Sequence, residues 1–341
     1  MYKVGMYGGS FNPFHIGHLT NIIRAASICE ELHIIISYNN NRDEIPVNIR
    51  YRWILNSIKH IGNVKIHCIE DGASSKEDYN NSEKDYWKEG ANKIKKAIEK
   101  PIDIVFAGSD YKGTNRFESL YKNSIIEYFD RNQIPISSTM IRENPLKYWD
   151  YLPNIVKPYY TKKILIIGGE STGKSVLCEN LALIFNTNFV KEVGRDTCEY
   201  AGGEEYMIAE DLIENLLKQK INVEEAIKTS NKIVFVDTDA LITKFYSNFL
   251  LENNSPDLLK CNDLADAINN INKWDLVLFL EPTTKFVQDG TRNEEIASNR
   301  KKYSDQIKDI FKEKNIPVKY IDGNYLERFE QAKSLVENLL N

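Results

Sequence analysis

The sequence predicts two α/β domains in tandem, each built on a parallel sheet. Three observations carry that prediction. In both halves of the chain short apolar runs alternate with stretches of helical periodicity, the order expected of βαβ units. Each half opens on an apolar run that ends in a glycine-rich turn, Gly8-Gly9-Ser10 in the first and Gly168 to Ser175 in the second. Between the halves Pro145, Pro153 and Pro158 break regular structure.

In the first half, residues 2–8 read as a short apolar strand, 16–32 have helical periodicity, 33–38 form a second strand and 102–108 a later, wholly apolar one. Residues 71–85 are polar and rich in turn formers, which predicts a mobile surface loop. The second half reads as strand 163–167, loop 168–173 and helix 174–185, followed by strands at 232–237, 276–280 and 318–321. The expected division is a domain over 1–144, a connector over 145–160 and a domain over 161–341. Tyr148, Trp149, Tyr151, Tyr159 and Tyr160 load the connector with rings. Packing against both domains is the expected result, because burying those rings offsets the entropy lost in ordering the segment.

At 341 residues the chain exceeds the size over which one core keeps growing, and 42% hydrophobic residues are enough for two. A net charge of -5 and a pI near 5.7 argue against a sequence-blind nucleic-acid binder, which needs a basic face. No apolar run approaches the roughly 18 residues of a membrane helix, and the first residues enter a strand rather than a signal peptide. A cytoplasmic protein with neither nucleic-acid nor membrane partners is expected, and a homo-oligomer is compatible with the composition. The five cysteines are widely spaced and lack a C-x-x-C pair, which fits reduced thiols and excludes a cysteine zinc knuckle.

Gly8-Gly9-Ser10-Phe11-Asn12-Pro13-Phe14-His15-Ile16-Gly17-His18 runs from strand through turn into helix. It sets His15 and His18 at a helix N-terminus, where free amides and the helix dipole favour an anion. Spaced by three, the imidazoles face one side. If the attacking group is itself a phosphate, no base is required. The site then has to position reactants and stabilise charge on the α-phosphate of ATP, which imidazole N–H donors accomplish. A shared zinc ion is the competing reading, but His33, His60 and His67 are the only other histidines and no H-E-x-x-H pattern exists. In Ile136-Ser137-Ser138-Thr139-Met140-Ile141-Arg142, hydroxyls fall where a short helix begins and an arginine follows one turn on. Ser138, Thr139 and Arg142 would receive β- and γ-phosphates, although Ser-Ser-Thr alone is also an ordinary helix cap. Gly8, Ser10 and Phe11 complete the ATP set expected here, and Gly108-Ser109-Asp110 lies at a strand's carboxyl end, where α/β sheets bind ligands.

Gly168-Gly169-Glu170-Ser171-Thr172-Gly173-Lys174-Ser175 matches the triphosphate loop G-x-x-x-x-G-K-[ST] between a strand and a helix, the context that gives the motif its meaning. Gly168, Ser171, Thr172 and Gly173 would cradle phosphates, Lys174 would reach the β- and γ-phosphates, and Ser175 would ligate Mg2+. Asp237 ends an apolar strand and Asp239 stands two residues on. Either acid can orient Mg2+, with Asp237 the expected ligand, or accept a proton from a substrate hydroxyl. Glu192 and Arg195 follow the second strand and can grip ribose hydroxyls. Phe286 to Arg292, with Arg300 beyond, reads as a lid whose Arg292 closes over the phosphoryl group and whose Asp289 faces substrate. A solvated charged helix is the alternative for Arg300.

G-x-F-x-P-x-H-x-G-H paired with I-S-S-T-x-I-R resembles the nucleotidyltransferase superfamily and, within it, nicotinamide mononucleotide (NMN) adenylyltransferases. The resemblance implies a Rossmann-like domain that transfers AMP from ATP to NMN, with His15, His18, Ser138, Thr139 and Arg142 on ATP phosphates. It also implies an aromatic side chain on the pyridine, and Trp87 is the candidate. With residues 143–153, the triphosphate loop, Glu192-Val193-Gly194-Arg195-Asp196, Val236-Asp237-Thr238-Asp239 and Asp289-Gly290-Thr291-Arg292 added, the similarity spans almost the whole chain and points to the bifunctional NadR family. That implies a second, P-loop kinase domain that phosphorylates nicotinamide riboside with ATP and Mg2+, its product passing to the first domain to become NAD. Some members carry an N-terminal helix-turn-helix. Here the first strand begins at Tyr2, so no such domain and no DNA-binding role are expected. The family tends to have aromatic residues beside Glu192, where this chain has Lys191 and Val193. A kinase for another nucleoside, or an ATP- and NAD-sensing regulator without turnover, are the competing readings.

Overall fold

The computed structural model describes residues 1–75, 77–78, 85–287 and 298–341. The chain divides into two compact units, Met1–Tyr159 and Tyr160–Asn341. Each is a five-stranded parallel sheet with helices between its strands, the α/β architecture expected.

In the first unit the strands are β1 (Tyr2–Gly9), β2 (Cys29–Tyr38), β3 (Val64–Glu70), β4 (Ile104–Gly108) and β5 (Ile125–Phe129), in the order β3-β2-β1-β4-β5. The chain leaves β1 toward β2 on one side and reaches β4 on the other, so the carboxyl ends of β1 and β4 flank a topological switch point. The helix after β1 spans Ile16–Ile28, shorter than the periodicity over 16–32 predicts. Cys29 is already extended, and Leu32 pairs with Gly5 of β1 in full burial. Asn63 donates to the carbonyls of Ala26 (2.9 Å) and Cys29 (2.8 Å) and so satisfies acceptors the helix end exposes. The predicted surface loop over 71–85 lies partly outside the described residues. Beyond it Asp85 caps the helix Tyr86–Ile98 by accepting from the Lys88 amide at 3.0 Å. Later in this unit Leu146, Trp149, Leu152 and Val156 are buried and Tyr159 meets Trp53 edge-on at 5.3 Å.

In the second unit β6 (Lys162–Gly168), β7 (Asn188–Val190), β8 (Ile233–Asp237), β9 (Leu276–Leu280) and β10 (Lys319–Ile321) lie in the order β10-β9-β6-β8-β7. One face buries Leu165, Ile167, Val234, Val236 and Phe279, the other Ile164, Ile166, Phe235, Leu278 and Leu280. Helices cover both faces, which is why these strands read as unbroken apolar runs. Among the described residues no helix is long and apolar enough to cross a membrane.

Central strand β6 turns into its loop at Gly168, with φ at +147° and a Cβ position 2.7 Å from the Leu280 carbonyl oxygen. Neither the dihedral nor the space admits a side chain. Gly168→Ala is expected to cost on the order of 2 kcal/mol in stability of this unit and to weaken nucleotide binding with it. A denaturation midpoint equal to that of the parent protein would refute this.

Candidate active sites

Two adjoining cavities of about 360 and 490 Å3 open at the switch point of the first unit and share Gly8, Gly9, Ser10, Tyr111, Phe117 and Arg142. The smaller is built on the turn after β1. His15 precedes the helix Ile16–Ile28 in extended conformation and its Nδ1 accepts from the His18 amide at 3.4 Å, an imidazole in the role of an N-cap. In the neutral ring this leaves the proton on Nε2, a donor. The His15 and His18 rings stack at 3.6 Å between centroids, with Phe11 edge-on to His18 at 4.9 Å. Burial, with Arg131 nearby, pushes His15 down to about 3. Burial, then His15 and Arg131, hold His18 well below the imidazole range. Both are therefore neutral N–H donors at pH 7 rather than cations.

The segment expected to meet the outer phosphates closes onto the same turn. Ser137 caps the short helix Ser138–Glu143 by accepting from the Met140 amide at 3.2 Å, and Ser138 donates to the Pro13 carbonyl at 2.9 Å. Arg142 donates to the Asn12 carbonyl and to Thr139 Oγ1 at 3.3 Å. Arg24 and Arg131, neither singled out by sequence, line the same cavity, with Arg131 paired to Asp110 at 2.9 Å. Beneath the turn lies Arg50, 1% exposed, which donates to the Ser10 carbonyl at 2.5 Å and to Asp43 at 3.0 Å. Phe11, expected among the ATP contacts, is 0% exposed with φ at +49° and lines neither cavity; its ring supports His18 from the core. Trp87 lines the larger cavity, where Arg116 lies 4.5 Å over its ring and Tyr111 and Phe117 meet it edge-on.

The second unit places the triphosphate loop between β6 and the helix Lys174–Ile184. Lys174 Nζ donates to the Gly169 carbonyl at 3.2 Å, within the loop it would serve. Thr172 is buried and donates to the same carbonyl at 2.8 Å, so its hydroxyl shapes the loop and its amide remains the group a phosphate can meet. Ser175 donates to Asp237 Oδ2, joining loop to the end of β8. Hydroxyl and carboxylate oxygens, with a buried Asp237, form the hard-donor set that suits Mg2+.

A cavity of about 110 Å3 adjoins Lys174 and is also lined by Glu192 and Arg195. Burial raises the Glu192 carboxyl, against the pull of Lys174. Asp239 is outside that cavity. It is 2% exposed and accepts from the amides of Leu241 (3.1 Å) and Ile242 (3.4 Å) as cap of the helix Ala240–Leu250, and burial pushes it up to about 6. Its Oδ1 thus serves as a helix cap, and of the two acids Asp237 is the one hydrogen-bonded to Ser175. Arg292 and Asp289 lie outside the described residues. Arg300 is no solvated charge: it donates to the carbonyls of Thr284 (2.7 Å), Ser171 (3.3 Å) and Glu170 (3.4 Å).

Three further residues escaped sequence reasoning. Gln219 Nε2 donates to the carbonyls of Asp237 (3.0 Å) and Thr238 (3.2 Å) while its oxygen accepts from the Val193 amide at 3.2 Å, tying the end of β8 to the Glu192 segment. Its signal was a polar residue on the apolar stripe Leu212, Leu216, Val223. Tyr246 donates to Glu170 at 3.2 Å from the cavity wall. Arg328, 2% exposed, donates to the carbonyls of Thr172 (2.6 Å), Glu281 (2.5 Å) and Gly323 (3.0 Å) and to Thr283 Oγ1 (2.6 Å).

Residues 6–144 match the cytidylyltransferase-like family and residues 163–328 the AAA domain family. The chain is 31% identical, over 99% of its length and 83% of the relative's, to the trifunctional NAD biosynthesis/regulator protein NadR of Salmonella typhimurium, and equally so to that of Escherichia coli. A crystal structure of a NadR protein in complex with NR superposes with a TM-score of 0.84 at 23% identity, covering 99% of this chain and 96% of that one. A second, in complex with NAD and AMP-PNP, gives 0.83 at 21% identity, over 100% and 96%. Those two share the fold.

Two outcomes follow from this geometry. His15 and His18 have folded values below the ordinary 6.5, so the stability they confer is present above pH 6.5 and is lost as pH falls toward 3. Melting of the first unit should drop through that window, with a shallower slope in His18→Asn; an unchanged slope would refute the assignment. Arg328→Met should destabilise the second unit by about 3 kcal/mol, since buried carbonyls lose their donor. Chemical denaturation measures it, and a loss under about 0.5 kcal/mol would show that these bonds carry little.

Proposed function

The chain belongs to the NadR family, and on that premise we propose that it makes NAD in two ATP-dependent steps, one in each unit. The second unit phosphorylates nicotinamide riboside to NMN, and the first transfers AMP from ATP to NMN with release of pyrophosphate. The observation that carries this reading is the pair of separate anion cradles, each at the carboxyl ends of its own sheet, one lined by neutral histidines and the other armed with Lys174.

In the first unit an NMN phosphate oxygen attacks the α-phosphorus of ATP, and the bond to the bridging oxygen of the β-phosphate breaks. NMN phosphate is anionic already, so His15 and His18 act as donors to oxygens that gain charge in transit. Arg142, Ser138 and Thr139 hold the departing pyrophosphate, supported by Arg24 and Arg131. The shared Gly8–Ser10 rim lets NMN reach the ATP cavity from the larger one, where Trp87 provides a ring for the pyridine. Neither cavity encloses Phe11, which is left with a supporting role.

In the second unit the riboside 5′-hydroxyl attacks the γ-phosphorus and ADP departs. Lys174 and the loop amides from Gly168 to Gly173 stabilise the transferring group, and Asp237 is the acid placed to accept the hydroxyl proton or to hold Mg2+ together with Ser175. Mg2+ held there would neutralise charge on the triphosphate. Glu192 and Arg195 grip the ribose.

With nicotinamide riboside, ATP and Mg2+ the protein should yield NAD. His18→Ala should lower adenylyl transfer on the order of 100-fold and let NMN accumulate. Lys174→Ala should stop riboside consumption while supplied NMN still becomes NAD. Chromatography of the nucleotides follows both. Loss of NAD formation from supplied NMN in Lys174→Ala would defeat the assignment of one activity to each unit.

A further inference from the structure

Gln219 lies on the helix Ala209–Thr229, buried beside the cavity that Lys174 and Glu192 line. A backbone N–H only donates and a carbonyl only accepts. Its amide oxygen must therefore face Val193 and its nitrogen the carbonyls of Asp237 and Thr238, and the flipped amide satisfies none of the three. Successive carbonyls of an extended strand point to opposite sides, so one NH2 group reaches two of them only where the chain reverses. Thr238 supplies that reversal with φ at +72°, a conformation its surroundings must impose on a β-branched residue. In that turn the Thr238 hydroxyl donates to Asp237 Oδ1 at 3.3 Å while Ser175 donates to Oδ2, so both oxygens of the acid are aimed. On the other side of the amide, Val193 directly follows Glu192 and precedes the helix Gly194–Ala201. One turn before Gln219, Asn215 accepts from Thr197 Oγ1 at 2.6 Å and holds the start of that helix to the same face.

We infer that Gln219 is a positioning residue for phosphoryl transfer: one amide sets the Asp237 carboxylate through the Thr238 turn and holds the Glu192 segment at a fixed distance from it. The inference rests on the riboside-kinase reading and deepens it. A ribose gripped by the Glu192 segment has to present its 5′-hydroxyl to the γ-phosphate beside Asp237, and a misplacement of about 1 Å costs on the order of 100-fold in rate. Gln219 acts on both partners of that encounter through backbone alone. Its donors govern the acid, and so kcat, whereas its acceptor governs the grip, and so the riboside KM.

The test is steady-state kinetics of the full-length protein with nicotinamide riboside, ATP and Mg2+, each substrate varied in turn. Gln219→Met removes all three bonds at similar volume, and kcat should fall at least about tenfold while the riboside KM rises about threefold or more. Gln219→Glu keeps an oxygen for the Val193 amide and loses a donor to the carbonyls. Its kcat should fall about threefold or more with the riboside KM within about twofold of the parent's. The ATP KM should stay within about twofold in both, because the bonds of Gln219 end on the tip of β8 and the Glu192 segment rather than on the triphosphate loop. Parental kcat in both variants overturns the inference. So does a loss of ATP binding, or the same change in kcat and riboside KM in both, since either outcome marks a residue that only supports the fold. Parent protein that binds ATP but leaves the riboside unphosphorylated defeats the kinase reading, and this inference with it.

Discussion

In both units the phosphate-handling loop is held in shape by a buried guanidinium. Arg50 donates to the Ser10 carbonyl beneath the turn after β1, and Arg328 donates to the Thr172 carbonyl beneath the triphosphate loop. A loop that presents amides to a phosphate turns its carbonyls inward, where each needs a donor. Arginine is suited to this place, since its planar fork reaches several oxygens at once and stays charged. Arg50 is neutralised by Asp43 at 3.0 Å, so its part beneath the first turn is that of a hydrogen-bond donor. Glu281 and Thr283, at and just beyond the end of β9, share the Arg328 fork, so strand end and loop are fixed together.

Charge is otherwise distributed differently in the two sites. The first relies on imidazoles kept neutral by burial, so the cost of burying ions is avoided and the cations are left to Arg24, Arg131 and Arg142 around the rim. The second keeps Lys174 at the loop and Asp237 hydrogen-bonded to Ser175, with Gln219 joining that strand end to the segment that carries Glu192. Each arrangement suits its nucleophile. A phosphate needs no deprotonation, whereas a ribose hydroxyl requires a nearby carboxylate.

Short-range features were legible in the chain. Strands buried on both faces, the two glycine turns, Lys174 and Ser175 follow from local pattern, because a loop between strand and helix builds its cradle from contiguous residues, whereas the pairing of Ser175 with Asp237 joins positions 62 residues apart. Where local pattern admitted two uses, burial chose between them. Asp239 had the right type and spacing for substrate, and a helix that begins directly after it takes one of its oxygens as a cap. Arg300 was open between a lid and a solvated helix, and its three carbonyl acceptors set the solvated helix aside.

By itself the sequence determined two nucleotide loops, the sheets beneath them and the family to which they belong, since these depend on neighbours a few residues apart. Only the tertiary structure decided which distant side chains complete each site. Arg50 lies 40 residues from Ser10 and Arg328 lies 156 from Thr172. Such pairings have no periodicity to read, because they arise when sheet order brings remote strand ends together and leaves a buried carbonyl in need of a donor.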